Sequence, residues 1–259
     1  MITVIRPILG SIKAQCQMIR RDPEDTRHII VQPVHTLIFM AIFVYVGRED
    51  LAAYSLVAPT LMTVGQMGLF AASELMSREQ YDETLEIVVS TPSPLWLIVL
   101  SRITVLMVSS LLGIVVSWGI IRLVFGITVA VHHPSLFVAT VVATAFASAG
   151  TTLITTALFC FSRTPRTYQN SVIYPVFLLG GILVPITAFP DWVQPISRLI
   201  YLYWSAGLLR ESMQSAAPSG LMLSFSAIAV LGAVGTVLGA WLISRMLDRL
   251  RRDGRLGIL

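Results

Sequence analysis

An all-α polytopic membrane protein with six transmembrane helices is the fold class this sequence predicts, and three observations predict it. Hydrophobic residues fill 55% of the 259 positions and charged residues only 12%, about half the charged share of an ordinary soluble domain. Apolar runs of the roughly 20 residues needed to cross about 30 Å of hydrocarbon recur along the chain. The basic residues are spread unevenly between the segments that join those runs.

The runs lie at 29–47, 51–75, 95–121, 136–161, 169–187 and 221–244, within one membrane domain, 29–259. Ahead of them, in 1–28, Ile5, Ile8, Leu9, Ile12, Cys16 and Ile19 recur at three- and four-residue spacing, while Arg6, Lys13, Gln17 and Arg20 point elsewhere. That pattern predicts an amphipathic helix lying on the membrane surface. Arg21-Asp22-Pro23 ends it, because proline cannot continue a helix. Between runs five and six, 188–210 is semi-apolar but interrupted by Pro190, Asp191, Pro195, Arg198 and Arg210. This predicts a broken re-entrant hairpin rather than a seventh crossing.

Orientation follows from the basic residues. Placing both termini on one side leaves only Arg48, Arg122, Arg198 and Arg210 of the 18 Lys+Arg on the other. Both termini are therefore expected in the cytoplasm, and the hairpin outside it. The net charge of +4, carried almost wholly by arginine, suits anionic lipid headgroups better than nucleic acid. Cys16 and Cys160 are too few and too far apart for a disulfide framework or a thiolate metal site. No cleavable signal peptide is expected, so the first span acts as its own insertion signal. His132-His133 has no third ligand at useful spacing, and no metal is expected.

One short segment departs from the apolar background. In SREQYDETLEIVVSTP, Ser77–Pro92, four carboxylates gather: Glu79, Asp82, Glu83 and Glu86. Tyr81, Leu85, Val88 and Val89 form one face and Arg78 with the carboxylates the other, so 77–90 predicts an amphipathic helix on the cytoplasmic side. Such a helix is either a solvated loop or a handle for a soluble partner.

At this segment the sequence resembles the membrane-spanning permeases of type 2 ABC exporters, the ABC-2 transporter family. Their cytoplasmic signature is an Arg-Glu, a Thr-Leu-Glu stretch and a Thr-Pro or Ser-Pro; Arg78-Glu79, Thr84-Leu85-Glu86 and Thr91-Pro92 occupy those places. The glycine often found before the Thr-Leu-Glu is absent, Asp82-Glu83 standing in that region. The likeness continues through Pro33 in the first span to GGILVPITAFPDWVQPISRLIYLYWSAGLLRES, where Gly180, Pro185, Pro190, Trp192 and Arg210-Glu211 match the fifth span and the hairpin leading to span six.

The resemblance implies a dimer of permease chains, identical or paralogous, working with two cytoplasmic ATPase subunits. Arg78, Glu79, Tyr81, Asp82, Glu83, Leu85 and Glu86 would form the ATPase-coupling helix. The chain has no GxxxxGK[ST] loop, so it is not expected to be an enzyme; ATP and magnesium belong to the partner. The expected location is the cytoplasmic membrane, and a bacterial one.

Further residues carry expectations of their own. Glu74, near the end of span two, and Arg102, near the start of span three, are expected to pair across that helical hairpin. Gln32, His35 and Gln66 are polar groups inside spans, and with Phe189 and Trp192 of the hairpin they are candidates for a substrate path. Ser148, Thr151, Thr152, Thr155 and Thr156 are expected to bond back to helix carbonyls and aid packing, and Gly235 and Gly239 have the spacing that lets helices approach closely. Apolar walls suit an amphipathic or hydrophobic cargo: a drug, an antibiotic or a lipid-like molecule, as in multidrug efflux and antibiotic resistance. The alternatives are export of a lipid-linked polysaccharide or glycolipid and, from another class, a channel or secondary transporter independent of an ATPase.

Overall fold

The computed structural model describes residues 10–17, 19, 27–48, 52–81, 94–159, 165–184 and 186–253. Among them the regular structure is helical throughout, with no strand. After a first helix over 10–17 (α1) come α2 (Arg27–Tyr45), α3 (Tyr54–Tyr81), α4 (Leu95–Ser110), α5 (Leu112–Val124), α6 (Pro134–Phe159), α7 (Pro165–Leu179), α8 (Val193–Ser197), α9 (Tyr201–Met213) and α10 (Leu221–Asp253). By length and composition three described stretches can cross a membrane: Leu95–Val124, Pro134–Leu158 and Leu221–Arg249, with Ile30–Tyr45 a shorter apolar helix.

The helices depart from the expected runs in ways that local chemistry explains. The third run is two helices, α4 and α5, joined at Leu111, whose φ of −65° and ψ of −22° stay helical. Ser109 and Ser110 donate to the carbonyls of Leu106 and Met107, three residues back, and Leu111 N–H bonds Val108 O at 3.2 Å. Short-range side-chain bonding tightens the turn without reversing the chain. The fifth run, expected over 169–187, is helical from Pro165 and stops at Leu179. Gly181, at φ +65°, takes the left-handed position that glycine adopts at no steric cost. Its N–H bonds Leu178 O at 3.1 Å and Ile182 N–H bonds Phe177 O at 3.2 Å, the paired bonds of a Schellman cap.

Part of the N-terminal helix packs on the bundle. Cys16, expected on the apolar face, is exposed, while Gln15 is buried and Ile19 packs on the core. Residues 12, 15 and 19 share a helical face by their spacing, and that face turns inward.

The most extensive contact in the bundle is between α6 and α10, and small residues make it. A Cβ at Gly239 would lie 2.4 Å from Leu153 Cβ, and one at Gly150 would lie 2.4 Å from the Gly232 carbonyl. Only helices lacking side chains at those points can approach so closely. Gly235 and Gly239, whose spacing arises easily by chance in a chain of 17 glycines, both belong to this contact.

On its opposite side α6 carries a stripe of buried hydroxyls at every fourth position: Thr140, Thr144, Ser148, Thr152 and Thr156, each no more than 2% exposed. All but Ser148 donate to the carbonyl four residues back, at 2.7–2.8 Å. The expected back-bonding is thus present, and it extends further up the helix. Two apolar clusters flank the stripe. One joins Met40, Leu56, Ile121, Leu136, Phe177 and Leu202; the other joins Val64, Leu95, Ile103, Leu153 and Ile243.

Gly239→Ala is expected to lower stability by about 1–3 kcal/mol through overpacking. Gly119→Ala, where an added methyl meets nothing within 4 Å, should raise it by about 0.5–1 kcal/mol. Thermal unfolding of the detergent-solubilised chain, followed by tryptophan fluorescence, distinguishes the two signs.

Candidate functional site

The expected coupling segment falls mostly outside the described residues, Asp82, Glu83, Leu85 and Glu86 among them. Arg78, Glu79 and Tyr81 occupy the last turn of α3, which runs from Tyr54 to Tyr81 without interruption. There is no break between the second apolar run and the start of the acidic segment. The side chains of Glu74, Arg78, Glu79 and Tyr81 lie outside the described residues, and with them the Glu74–Arg102 pair; Arg102 itself is half-buried on α4, a helix packed against α3. Pro94, extended at φ −65° and ψ 131°, precedes α4, consistent with proline's preference for the start of a helix.

The five candidate path residues are dispersed. Gln32 on α2 is 1% exposed; its Nε2 donates to Thr60 Oγ1 on α3 at 3.0 Å, and Thr60 donates to Leu56 O at 2.7 Å. A Cβ at Gly113 of α5 would lie 2.7 Å from Gln32 Oε1, so the amide is wedged among three helices. His35 Nδ1 bonds the Val31 carbonyl of its own helix at 2.9 Å. A carbonyl only accepts, so this nitrogen carries the proton. Gln66 is half-buried on α3, Phe189 is half-buried after the short 3-10 turn Ile186–Ala188, and Trp192 is 70% exposed at the start of α8. None of the five lines the cavity between α3, α6, α7 and the hairpin.

That cavity encloses about 220 Å³. Gly65 and Gly68 of α3, Ser148, Thr151, Thr152 and Thr155 of α6, Val172, Val176 and Phe177 of α7 and Leu199 through Leu202 bound it. Tyr201, buried, lines it beside Ser148 and Thr151. Ser148 in turn donates to Val64 O at 3.1 Å, and the Thr144 and Ser205 hydroxyls are hydrogen-bonded to each other at 2.7 Å. The hydroxyl stripe therefore ties α6 to both α3 and α9. Spacing alone marks hydroxyls as packing groups; the contribution of Tyr201 needs the return of the hairpin onto α6, which no local pattern specifies.

The hairpin is held at its far end by polar contacts that the sequence reading left without a role. His132 Nδ1 bonds Met213 O at 2.8 Å, His133 Nε2 bonds Ala216 O at 3.2 Å, and His133 N–H bonds Ser212 O at 2.9 Å. The Arg210 guanidinium donates through Nη2 to the Gly181 carbonyl and lies 5.1 Å from the Tyr54 ring centroid. One side chain thus links the cap of α7, the start of α3 and the end of α9. Trp204 Nε1 donates to Arg198 O at 2.9 Å, and its ring meets Tyr203 edge-on at 5.3 Å. Among the described residues no three His, Cys, Asp or Glu side chains group as a metal site.

This arrangement, a hydroxyl-striped helical bundle with the short helices α8 and α9 packed beside it, is all-helical as the resemblance in the sequence implies, and comparison with known proteins decides the family. The sequence profile of the ABC-2 type transporter family matches residues 8–213. The chain belongs to the ABC-2 type transporter family. It is also similar to Nodulation protein J of Sinorhizobium fredii (strain NBRC 101917 / NGR234), with 32% identity over 119 residues, 43% of this chain and 43% of that protein. The match thus spans less than half the length of that relative. In this ABC-2 family chain the profile ends at Met213, the last residue of α9, so α8 and α9 lie inside the family domain.

Tyr54→Leu and Arg210→Gln are expected to be coupled by about 0.5–2 kcal/mol, because each removes the same cation–π contact. Unfolding midpoints of the two single variants and the double variant, assembled into a cycle, measure the coupling.

Proposed function

We propose that this chain is the six-span permease of an ATP-driven exporter and moves an amphipathic or hydrophobic cargo out across the cytoplasmic membrane by alternating access. In this reading α2, α3, α4 with α5, α6, α7 and α10 are the spans, both termini are cytoplasmic, and α8 with α9 forms an extracytoplasmic re-entrant hairpin. Two permease chains, identical or paralogous, work with two ATPase subunits that carry ATP and magnesium. The host membrane is bacterial.

The observation that carries the reading is the continuity of α3. Its 28 residues extend about 42 Å, against about 30 Å of hydrocarbon. Its last two turns therefore project beyond the bilayer, and Arg78, Glu79 and Tyr81 stand on the same rigid rod as Gly65, Gln66 and Gly68. Closure of the ATPase pair would press on the segment 77–90, with Asp82, Glu83, Leu85 and Glu86 completing the contact. The push reaches mid-membrane without a flexible joint. Coupling of this kind requires two states that both sites bias, here an inward-open and an outward-open packing of α3 and α4 against the partner permease. Gln32, His35 and Gln66, with Phe189 and Trp192 at the exit, are the proposed polar and aromatic points along the path, and Glu74 with Arg102 the pair that keeps α3 and α4 moving together.

A second cargo, a lipid-linked polysaccharide or glycolipid, is favoured by the exposed Trp192 and the edge-on Tyr203–Trp204 pair, because aromatic faces at an interface accept amphipathic rings.

Replacing Glu79, Glu83 and Glu86 together by alanine should abolish recovery of the ATPase subunits with the tagged permease and abolish ATP-dependent transport in vesicles. Survival of both would remove the coupling role from this segment. Purification of the native protein without a stoichiometric ATPase would favour the channel or secondary-transporter class instead.

A further inference from the structure

The cavity floored by α6 is not lined by the candidate path residues, and its chemistry points to a different occupant. Its threonine and serine hydroxyls are already engaged: Thr151 and Thr152 donate to Ser148 O at 2.9 and 2.7 Å, Thr155 donates to Thr152 O at 2.9 Å, and Ser148 donates to Val64 O at 3.1 Å. No charged side chain lines it. A polar ligand entering would lose water and gain few partners, which is costly. The remaining walls, Val172, Val176, Phe177 and Leu199, are apolar.

Position adds the second argument. The floor from Ser148 to Thr155 runs from the middle of the membrane-spanning stretch Pro134–Leu158 toward its end, so the cavity sits at hydrocarbon depth. Its mouth is flanked by Val172 and Leu199, 43% and 73% exposed, which continue the apolar exterior of the bundle. Its inner end is shut: a Cβ at Gly68 would lie 2.6 Å from Thr152 Oγ1, and one at Gly65 would lie 2.8 Å from the Phe177 ring. The recess thus opens at the exposed apolar side of the bundle and backs onto α3. An unfilled recess of about 220 Å³ forfeits the dispersion contacts of its whole lining, and the solvent at its mouth is hydrocarbon.

We propose that this recess binds one acyl chain of a membrane phospholipid, held between α6, α7 and the hairpin. The chain enters from the bilayer past Val172 and Leu199 and ends against Gly65 and Gly68. It wedges α7 and the hairpin apart from α6, so a lipid becomes part of the packing that the two helices alone leave incomplete.

The test uses the full chain, purified in detergent and stripped of loosely held lipid. A phosphatidylglycerol carrying a photoactivatable diazirine midway along one acyl chain is added, irradiated, and the adducts are mapped by peptide mass spectrometry. Adducts should concentrate at 148–155 and 172–177 and saturate with added lipid. Thr155→Phe, which fills the floor, and separately Val172→Trp, which narrows the mouth, should each cut them several-fold, while adducts at the exposed Val230 and Val237 of α10 stay unchanged. The second variant changes an exposed position, so it serves if the first fails to fold. Adducts that merely follow surface exposure, or that persist at full level in both variants, overturn the proposal. So does displacement of the probe by a polyprenyl phosphate at lower concentration than by unlabelled phospholipid, or loss of the adducts whenever two copies of the chain associate. No ATPase or nucleotide is present, so the outcome is independent of the exporter reading.

Discussion

The close approach of α6 and α10 fixes the rest of the structure. Where Gly150 meets Gly232, and Gly239 meets Leu153, the two backbones touch with no side chain between them. Water is absent from a bilayer interior, so there is little hydrophobic drive between helices, and intimate van der Waals contact is what holds them. With one face of α6 committed in this way, its opposite face must receive α3 and α9, and the hydroxyl stripe is what they meet. Had α10 packed on the stripe instead, the glycine face would have been left against lipid, where it packs poorly.

From that fixed helix outward, the bundle is closed by polar links at its edges. Gln32 and Thr60 join α2 to α3, Ser148 joins α6 to α3, Thr144 and Ser205 join α6 to α9, and Arg210 ties α9 to the cap of α7 and to Tyr54. Each joins elements far apart in sequence. In an apolar surrounding the alternative to such a bond is an unpaired group, so these links specify which helix lies beside which. The interior between them is filled by leucine, isoleucine and methionine, which discriminate little among arrangements.

Much of this architecture could be read from residue order. Apolar runs of the right length anticipated the apolar helices Leu95–Val124, Pro134–Leu158 and Leu221–Arg249, and of the five hydroxyls expected to back-bond, Thr151, Thr152, Thr155 and Thr156 do so while Ser148 reaches α3 instead. What could not be read depends on contact across the fold. The end of α7 is set by a glycine cap at Gly180-Gly181 rather than by loss of hydrophobicity, because Ile182, Leu183 and Val184 remain apolar. The inward face of α1 carries Gln15 rather than Cys16, because the bundle selects the face that packs. The roles of His132 and His133 rest on carbonyls some 80 residues away in sequence, at separations of 81 and 83. The coupling segment shows the reverse case: its motif is legible in the sequence, while four of its seven named residues fall beyond the described part.

The hydroxyl stripe has one consequence for motion. Thr140, Thr144, Thr152 and Thr156 spend their protons on carbonyls of α6 itself, so those bonds travel with the helix whatever it slides against. Within the stripe only Ser148 donates to α3. A shift of α3 along α6 therefore breaks one stripe bond instead of a ladder of them, and Ser148 is the one stripe donor that must find a new acceptor. The surface behaves as a bearing: polar enough to choose its partner, yet self-contained enough to let that partner move.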